Sequence, residues 1–340
     1  MSAEQSLLPW LSDPWSRLME RREKLPHALL IHGRAGLGKT HLARGFAKRL
    51  LCETAAGAEP ACGACPACAW FEQDNHPDFR LLQPDALSAE PSGEGGDTAE
   101  GGPASKQIRI DQVRDLQAFL RVGSHRGGLR VAVIRPAEAM NAATANALLK
   151  SLEEPSAGTL ILLVSSDPQR LLPTVRSRCQ AIPILGADRK VASRWLQDRG
   201  IADADAALSF AAGAPLAALE HIELDERRRT LVALLATPGF DPVDGAEQLS
   251  GIALLEIVTW LQKWVYDLAR VRSGTAPRYH PGESARLTGL ARHADPIRLS
   301  RLALRIADAR RLALHPLNPK LFLEDLLMQY RKMSGAQDGR

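Results

Sequence analysis

A glycine-rich loop is the first group of residues whose types and spacing could do chemistry. Its residues fit the pattern GxxxxGKT after the apolar run at 28–31, and they are Gly33, Arg34, Ala35, Gly36, Leu37, Gly38, Lys39 and Thr40. In such a loop, backbone N–H groups point at phosphate oxygens, Lys39 reaches the outer phosphates, and Thr40 can ligate Mg²⁺. Because the spacing and the strand-to-helix context disfavour a chance glycine-rich turn, the loop predicts a site for ATP or ADP with Mg²⁺.

Hydrolysis of a bound nucleotide needs an acidic residue at the end of a second strand, and the sequence lacks one at the expected place. The candidate strand at 131–134 is followed by Arg135 and Pro136, neither of which can ligate a cation. Glu138 lies four residues past the strand end, which we interpret as too far to substitute without an unusual bulge. The sequence therefore predicts that the glycine-rich loop at 33–40 forms a phosphate-binding site, here called the phosphate cradle, without the acidic residue that hydrolysis requires.

Four of the five cysteines lie close together, at Cys52, Cys62, Cys65 and Cys68. Their C-x9-C-x2-C-x2-C spacing, with small or turn-forming residues between them, predicts a Cys₄ site for a structural Zn²⁺ ion with no open coordination position. Disulfide bonds are the alternative, which a reducing cytoplasm and the short spacings disfavour. His76 could replace one ligand, although it fits better at the start of the next strand. Cys179 stands apart and is predicted to be a small buried apolar side chain.

Composition sets broad limits on the kind of protein. The chain has 340 residues, 45% hydrophobic and 24% charged, which is typical of a globular protein with two or three domains. The net charge of +4 is compatible with nucleic acid nearby but is explained as well by a basic solvated surface. No apolar run approaches the length of a membrane helix, and the N-terminus lacks the plan of a signal peptide, so a cytoplasmic location is expected.

Alternating apolar runs and amphipathic segments predict an α/β fold with a parallel sheet in the first half of the chain. Strands are expected at 28–31, 79–82, 131–134 and 160–164. Helices are expected at 39–51, 110–121 and, after an Asn141 cap, 142–154. The stretch at 85–105 is rich in Gly, Pro, Ser and acids, and it predicts a disordered surface insertion. Only helices are expected beyond residue 184, among them 252–271, 297–314 and 318–333.

Several motifs along the chain carry a family resemblance. They are the phosphate loop, the cysteine pattern, the segment NALLKSLEEP at 146–155, the segment DPQR at 167–170 and the triplet SRC at 177–179. Together they resemble the bacterial clamp-loader ATPases of the AAA+ class. In that family the motor subunits, gamma and tau, carry an Asp-Glu pair where this chain has Arg135 and Pro136, and a lid arginine where it has Leu216. The resemblance therefore implies a non-motor, stator subunit of the DNA polymerase III clamp loader.

The resemblance also implies a domain plan. We expect an AAA+ nucleotide-binding-type domain at 1–185, with the zinc module at 52–68 and the insertion at 85–105. A small helical lid domain is expected at 186–232. A C-terminal helical domain at 233–340 is expected to form the oligomerisation collar.

The expected role follows from the same family. Its partners would be the gamma, tau and delta subunits, with the sliding clamp and primer-template DNA reached through the complex. Arg178, in the SRC triplet, would extend toward the γ-phosphate of ATP held by a neighbouring subunit, where a planar, permanently charged guanidinium stabilises the transition state. Without the flanking motif, Arg178 would be a surface residue with no special partner. Ser165 and Ser166 resemble the position that senses bound nucleotide, or form only a strand end.

Two functions of other classes remain open. The chain could be an ATP-hydrolysing motor subunit similar to gamma or tau, which would require an acid that the sequence does not show at the expected place. It could also be a zinc-ribbon DNA-binding protein. Against this last alternative, basic and aromatic residues are not interleaved with the cysteines, since Trp70 and Phe71 follow the cluster with no Lys or Arg nearby.

Overall fold

A computed structural model of the chain describes residues 7–88, 105–124, 128–313, 315 and 317–333. The chain divides into two compact units, Met1–Ala192 and Ser193–Arg340. Among the described residues, no helix is both long and apolar enough to cross a membrane.

The first unit is built on a five-stranded parallel sheet with the strand order β2-β3-β4-β1-β5. The strands are β1 (Ala28–Gly33), β2 (Phe79–Leu82), β3 (Arg130–Ile134), β4 (Thr159–Ser165) and β5 (Gln180–Ile184). The central strands read as continuous apolar runs because both faces of the sheet are covered, whereas β5 is an edge strand that carries Pro183. Since all strands are parallel, the loops that follow β1, β3 and β4 lie at one edge of the sheet.

Helices alternate with these strands, as the sequence pattern predicts. They are α1 (Ser12–Glu20), α2 (Lys39–Leu51), α3 (Pro66–Glu72), α4 (Ile110–Arg121), α5 (Ala142–Glu153), α6 (Pro173–Arg176) and α7 (Arg189–Gln197), which crosses the boundary between the units. The predicted Asn141 cap is confirmed, because its side chain accepts a hydrogen bond from the backbone N–H of Thr144 at 2.9 Å. The α/β fold class with a parallel sheet is confirmed.

The predicted insertion at 85–105 falls mostly outside the described residues. Its first residues are in place, however, since Asp85–Leu87 forms a 3-10 helix. The backbone N–H of Ala86 donates to the carbonyl of Ser105 at 3.0 Å, and the carboxylate of Asp85 pairs with Arg109 at 2.6 Å. Residues 85–88 therefore form a turn held to the far side of the insertion, and the expectation of disorder for the rest of the insertion concerns residues outside the described part of the chain.

The second unit is helical throughout its described residues, as predicted. Its helices are α8 (Ala204–Phe210), α9 (Pro215–Glu220), α10 (Asp225–Ala236), α11 (Pro242–Gln248), α12 (Leu254–Arg272), α13 (Ser284–His293), α14 (Pro296–Leu312) and α15 (Pro319–Met333). The indole N–H of Trp264 donates to the hydroxyl of Tyr330 at 2.9 Å, and that hydroxyl donates to the carbonyl of Leu235 at 2.9 Å. This chain of bonds joins α12, α15 and α10 within the core. The division into a lid at 186–232 and a collar at 233–340 stays a prediction.

Candidate nucleotide and metal sites

The predicted phosphate loop connects β1 to α2 and depends on its glycines. A Cβ on Gly33 would lie 2.4 Å from the carbonyl oxygen of Ile184, and its φ of +154° is one that other residues rarely adopt. Gly36 and Gly38 have φ values of +74° and +82°, in the left-handed region. The sequence motif therefore has the tight backbone turn expected of a phosphate cradle.

Lys39 occupies the first position of α2 and is 5% exposed. Its ammonium group donates to the carbonyl of Arg34 at 2.6 Å, so the lysine closes back onto its own loop. Burial lowers the pKa of Lys39, and the negative charge of Glu138 counters part of that fall. Thr40 follows and is half-buried. The indole N–H of Trp10 donates to the carbonyl of Leu37 at 3.0 Å and holds the middle of the loop.

The end of β3 lacks an acid at the expected place. The residue found there, Arg135, points toward β2. The bond between Arg135 and Pro136 is cis, and the Nε of Arg135 donates to the side chain of Gln83 at 2.8 Å. Gln83 directly follows β2, on the side of β3 away from β1. Arg135 is therefore directed away from the phosphate cradle.

Glu138, interpreted from the sequence as too far past β3 to substitute for the missing acid without an unusual bulge, lies close to the end of a neighbouring strand. A 3-10 turn at Ala137–Ala139 brings it back to the sheet edge, where Oε1 accepts the backbone N–H of Ser166 at 2.9 Å. Its charge also acts on Lys39. The short turn thus brings the side chain of Glu138 to the end of the neighbouring strand β4, and its inability to substitute for the missing acid stays a prediction. A proline directly before a short turn was the signal that could have revealed this.

The four clustered cysteines come together as predicted. Their sulfur atoms all lie within 4.8 Å of one another, and all four thiols are free. The Cys52 and Cys65 sulfurs are 3.9 Å apart, and so are those of Cys62 and Cys68. Elsewhere in the described part of the chain, no other group of three or more His, Cys, Asp or Glu side chains could hold a metal ion. The cluster could hold a metal ion.

Hydrogen bonds prepare this cluster for an ion. A bond to the Thr54 side chain and N–H donors from Ala64 and Cys65 lower the pKa of Cys62 to about 5, which favours the thiolate that metals bind. Burial raises the pKa of Cys68 instead. The guanidinium of Arg49 donates to the carbonyls of Glu59 and Gly57, at 2.8 and 2.9 Å, and anchors the loop between the first two cysteines. The loop is thus held to α2.

His76 is not part of the cysteine cluster. It is buried, and its Nδ1 accepts the backbone N–H of Asp78 at 3.0 Å, directly before β2. Its placement agrees with the interpretation that this segment opens a strand. Cys179 is partly buried against the sheet core, and burial raises the pKa of its thiol to about 11.

Arg178 lies between α6 and β5, and its side chain is 35% exposed. One terminal nitrogen of its guanidinium lies 2.6 Å from a carboxylate oxygen of Glu153, at the end of α5, and the other donates to the carbonyl of Thr174 at 3.0 Å. The two family motifs, NALLKSLEEP and SRC, therefore meet in an ion pair. Leu216 lies in α9.

Comparison with known proteins identifies the family. The family described as "DNA polymerase III, delta subunit" matches residues 14–187. The chain is 38% identical over 275 residues to DNA polymerase III subunit delta' of Pseudomonas aeruginosa, covering 78% of this chain and 77% of that one. It is 29% identical over 332 residues to the delta' subunit of Escherichia coli, covering 94% of each.

Proteins named DNA polymerase III subunit tau are also similar, but over a shorter region. The chain is 36% identical over 156 residues to DNA polymerase III subunit tau of Salmonella typhimurium, which covers 46% of this chain and 21% of tau. The relatives that match over most of the chain are therefore of the delta' type. This chain belongs to the DNA polymerase III delta' family of clamp-loader proteins.

Proposed function

We propose that this chain is the stator of a clamp loader, which supports ATP-dependent loading of the sliding clamp onto primer-template DNA. Its partners in this role are the gamma, tau and delta subunits. The observation that best supports this proposal is the ion pair between Arg178 and Glu153, which joins the two family motifs. Through Arg178, the chain contributes to ATP hydrolysis in a neighbour's site. It does not itself hydrolyse ATP, since β3 is followed by Arg135 and Pro136, neither of which can ligate Mg²⁺.

In this role Arg178 acts in trans on the ATP of a neighbouring subunit. Its guanidinium is partly exposed and is oriented by Glu153 and the carbonyl of Thr174. Exposed ion pairs contribute at most about 1 kcal/mol, so phosphate oxygens can replace Glu153 at little cost. A forked, permanently charged donor suits the spread of negative charge in phosphoryl transfer.

The test uses complexes assembled with Arg178→Ala. We expect clamp- and DNA-stimulated ATP hydrolysis to fall, while ATP binding by the motor subunits is retained. A trans arginine contributes about 10³- to 10⁵-fold in GTPases, but only the site that faces this subunit would lose it, so the loss in the whole complex is partial. Arg178→Lys should restore little, because an ammonium lacks the fork.

Arg176→Ala is the matched control, since Arg176 lies two residues away and donates to the side chain of Gln169 at 2.8 Å. It should leave hydrolysis near the unmodified rate. Unmodified ATP hydrolysis and clamp loading by Arg178→Ala complexes would reduce the chain to a passive scaffold.

The cysteine cluster is proposed to hold one structural Zn²⁺ ion. A tetrahedron of thiolates with Zn–S bonds of about 2.3 Å has sulfur–sulfur edges of about 3.8 Å. The two close sulfur pairs of this cluster, at 3.9 Å, match that edge. Four protein ligands leave no position for a substrate, so the ion has a structural role.

The phosphate cradle is proposed to bind ATP or ADP through its loop residues, Gly33 to Thr40. Its glycine geometry and the buried Lys39 support binding. An ATP-hydrolysing motor subunit is the second candidate, because Glu138 lies near the cradle. Lys39→Ala separates the two: a stator with this variant should leave the ATPase of the complex nearly unchanged, whereas a motor would lose much of it.

A further inference from the structure

An acidic side chain lies beside the phosphate cradle, although the strand that was expected to carry one ends in Arg135 and Pro136. The neighbouring parallel strands β1, β3 and β4 bring their following loops to one edge of the sheet. Glu138 comes from the loop after β3, and it accepts the N–H of Ser166, directly after β4, at 2.9 Å. Lys39 follows β1, and its ammonium experiences the charge of Glu138. Loops from three strands therefore place Glu138 at the cradle.

The two carboxylate oxygens of Glu138 have different surroundings. Oε1 accepts the hydrogen bond from Ser166. Oε2 is buried, and within the described part of the chain it accepts no hydrogen bond. A buried, charged oxygen without a donor is costly, so this atom favours a positively charged ligand. Mg²⁺ is held in nucleotide sites by one or two carboxylates together with phosphate oxygens and water.

We propose that Glu138 is the carboxylate that takes a divalent cation bound to the phosphates of a nucleotide in the cradle. The inference rests on the proposed nucleotide binding and adds the residue that makes it depend on a cation. Without the cation, the carboxylate repels the phosphates; with it, both anions share one positive ion. Because Oε1 is engaged by Ser166, a single oxygen is left for the cation, and the role of Glu138 is in binding rather than in hydrolysis.

The test measures ADP affinity of the full-length chain by isothermal titration calorimetry. One buffer contains MgCl₂ and the other is freed of divalent cations by desalting, since a chelator could also extract an ion from the cysteine cluster. In Glu138→Gln the amide oxygen can still accept the N–H of Ser166, but the charge is gone. We expect the unmodified chain to bind ADP about tenfold more tightly with Mg²⁺, and Glu138→Gln to lose most of that gain.

Two further variants distinguish a loss of the cation site from other causes of a changed ADP affinity. Asp167→Asn is the matched control, because Asp167 adjoins Ser166 but its carboxylate accepts the N–H of Gln169 at 3.3 Å. It should keep the Mg²⁺-dependent gain. Lys39→Ala should weaken ADP binding in both buffers, and an unchanged affinity would contradict the cradle itself rather than the role of Glu138.

Three results would overturn the proposed role of Glu138 in cation binding. An equal gain from Mg²⁺ in the unmodified chain and in Glu138→Gln would overturn it, as would tighter ADP binding by Glu138→Gln in the Mg²⁺ buffer. The absence of any Mg²⁺ gain in the unmodified chain would overturn it as well. In the case of tighter binding, Glu138 would be an internal competitor of phosphate for Lys39.

Discussion

The guanidinium of Arg178 contacts two different groups, the charged carboxylate of Glu153 and the backbone carbonyl of Thr174. The carbonyl of Thr174 is fixed by the fold of α6, whereas Glu153 ends α5 with a half-exposed side chain. The carboxylate is thus the partner that a phosphate could displace, and the carbonyl is the one that preserves the direction of the side chain.

This difference predicts a mild effect of Glu153→Gln. The amide still accepts a hydrogen bond, and an exposed ion pair contributes about 1 kcal/mol or less, so we expect the ATPase of the assembled complex to change less than about fivefold. The measurement is steady-state hydrolysis with clamp and primed DNA, alongside Arg178→Ala. A loss as large as that of Arg178→Ala would show that Glu153 is itself needed in the reacting arrangement.

Lys263 is a cation in an unfavourable position within the second unit. It lies 3.7 Å from the ring centre of Phe210, and Arg228 lies 4.2 Å from the same ring. Burial, followed by the charge of Arg228, lowers the pKa of Lys263 to about 8, with Glu256 opposing and Arg310 adding to the fall. Since the unfolded chain holds this proton up to about pH 10.4, folding becomes more favourable as the pH rises above 8.

Lys263→Met should therefore raise the free energy of unfolding at pH 7. The gain should be about 1 kcal/mol, because loss of the cation–π contact offsets part of the relief from burying a charge. It should shrink as the pH rises from 8 toward 10, where the unmodified chain loses the proton in its folded state. Denaturant titrations at pH 7 and 9 measure this trend, and a gain that grows with pH would contradict it.

At the scale of elements, the contact between the phosphate loop and β5 leaves no room for a side chain at Gly33. Gly33→Ala should lower the free energy of unfolding by about 2–4 kcal/mol, because its Cβ would meet the Ile184 carbonyl at 2.4 Å in a disfavoured conformation. Gly289→Ala is the control, since it lies within α13 with nothing within 4 Å of a Cβ. It should stabilise the chain by about 0.5–1 kcal/mol. Thermal unfolding of both variants is the measurement, and equal effects would contradict the packing argument.

The cysteine module predicts a local effect of metal loss. The purified chain should contain about one equivalent of Zn²⁺, and Cys65→Ser should release it. Hydrogen exchange should then increase at 52–68 more than in the sheet, with little change in the ATPase of the complex. Cys179→Ser is the control and should keep the ion. Elemental analysis that finds no zinc in protein prepared without chelators would exclude the site.

The sequence predicted those elements whose signals are local. The strand at 131–134, the Asn141 cap and the phosphate loop each depend on neighbouring residues, and all three are in the expected places. The sequence drew attention to Glu138 but could not place it beside Ser166, because its position depends on which strands are neighbours and on the turn after Pro136. Likewise, the pairing of Glu153 with Arg178 joins residues far apart in sequence, and no spacing rule reports such a contact.

At the scale of the whole molecule, the helices of the second unit expose apolar side chains that are spaced seven residues apart. On α14 these are Ile297 and Leu304, and on α15 they are Leu321 and Met328. Residues seven apart lie on one face of a helix, so each helix presents an apolar stripe. Such stripes are suited to packing against the helices of other subunits in the proposed collar.

Leu304→Asp should weaken assembly without unfolding the chain. Leu304 is 69% exposed, so the change removes little from the core. We expect reduced co-elution with tau and delta in size-exclusion chromatography, with an unchanged thermal midpoint for the isolated chain. Val122→Asp, at a 59% exposed position in the first unit, is the control. Normal assembly of a Leu304→Asp, Leu321→Asp double variant would contradict a collar interface on these helices.

The hydrogen bond between Ala86 and Ser105 has a practical consequence for studies of the complex. Together with the Asp85–Arg109 pair, it connects the chain before residue 89 to the chain after residue 104. The segments that follow β2 and precede α4 are therefore held together by contacts that do not involve residues 89–104. A fluorophore-binding peptide or an affinity tag placed in this segment is therefore expected to leave the contacts on either side of it, and with them β2 and α4, in place. The segment offers an internal attachment point through which an assembled clamp loader could be isolated or followed in single-molecule experiments, with both chain ends left native.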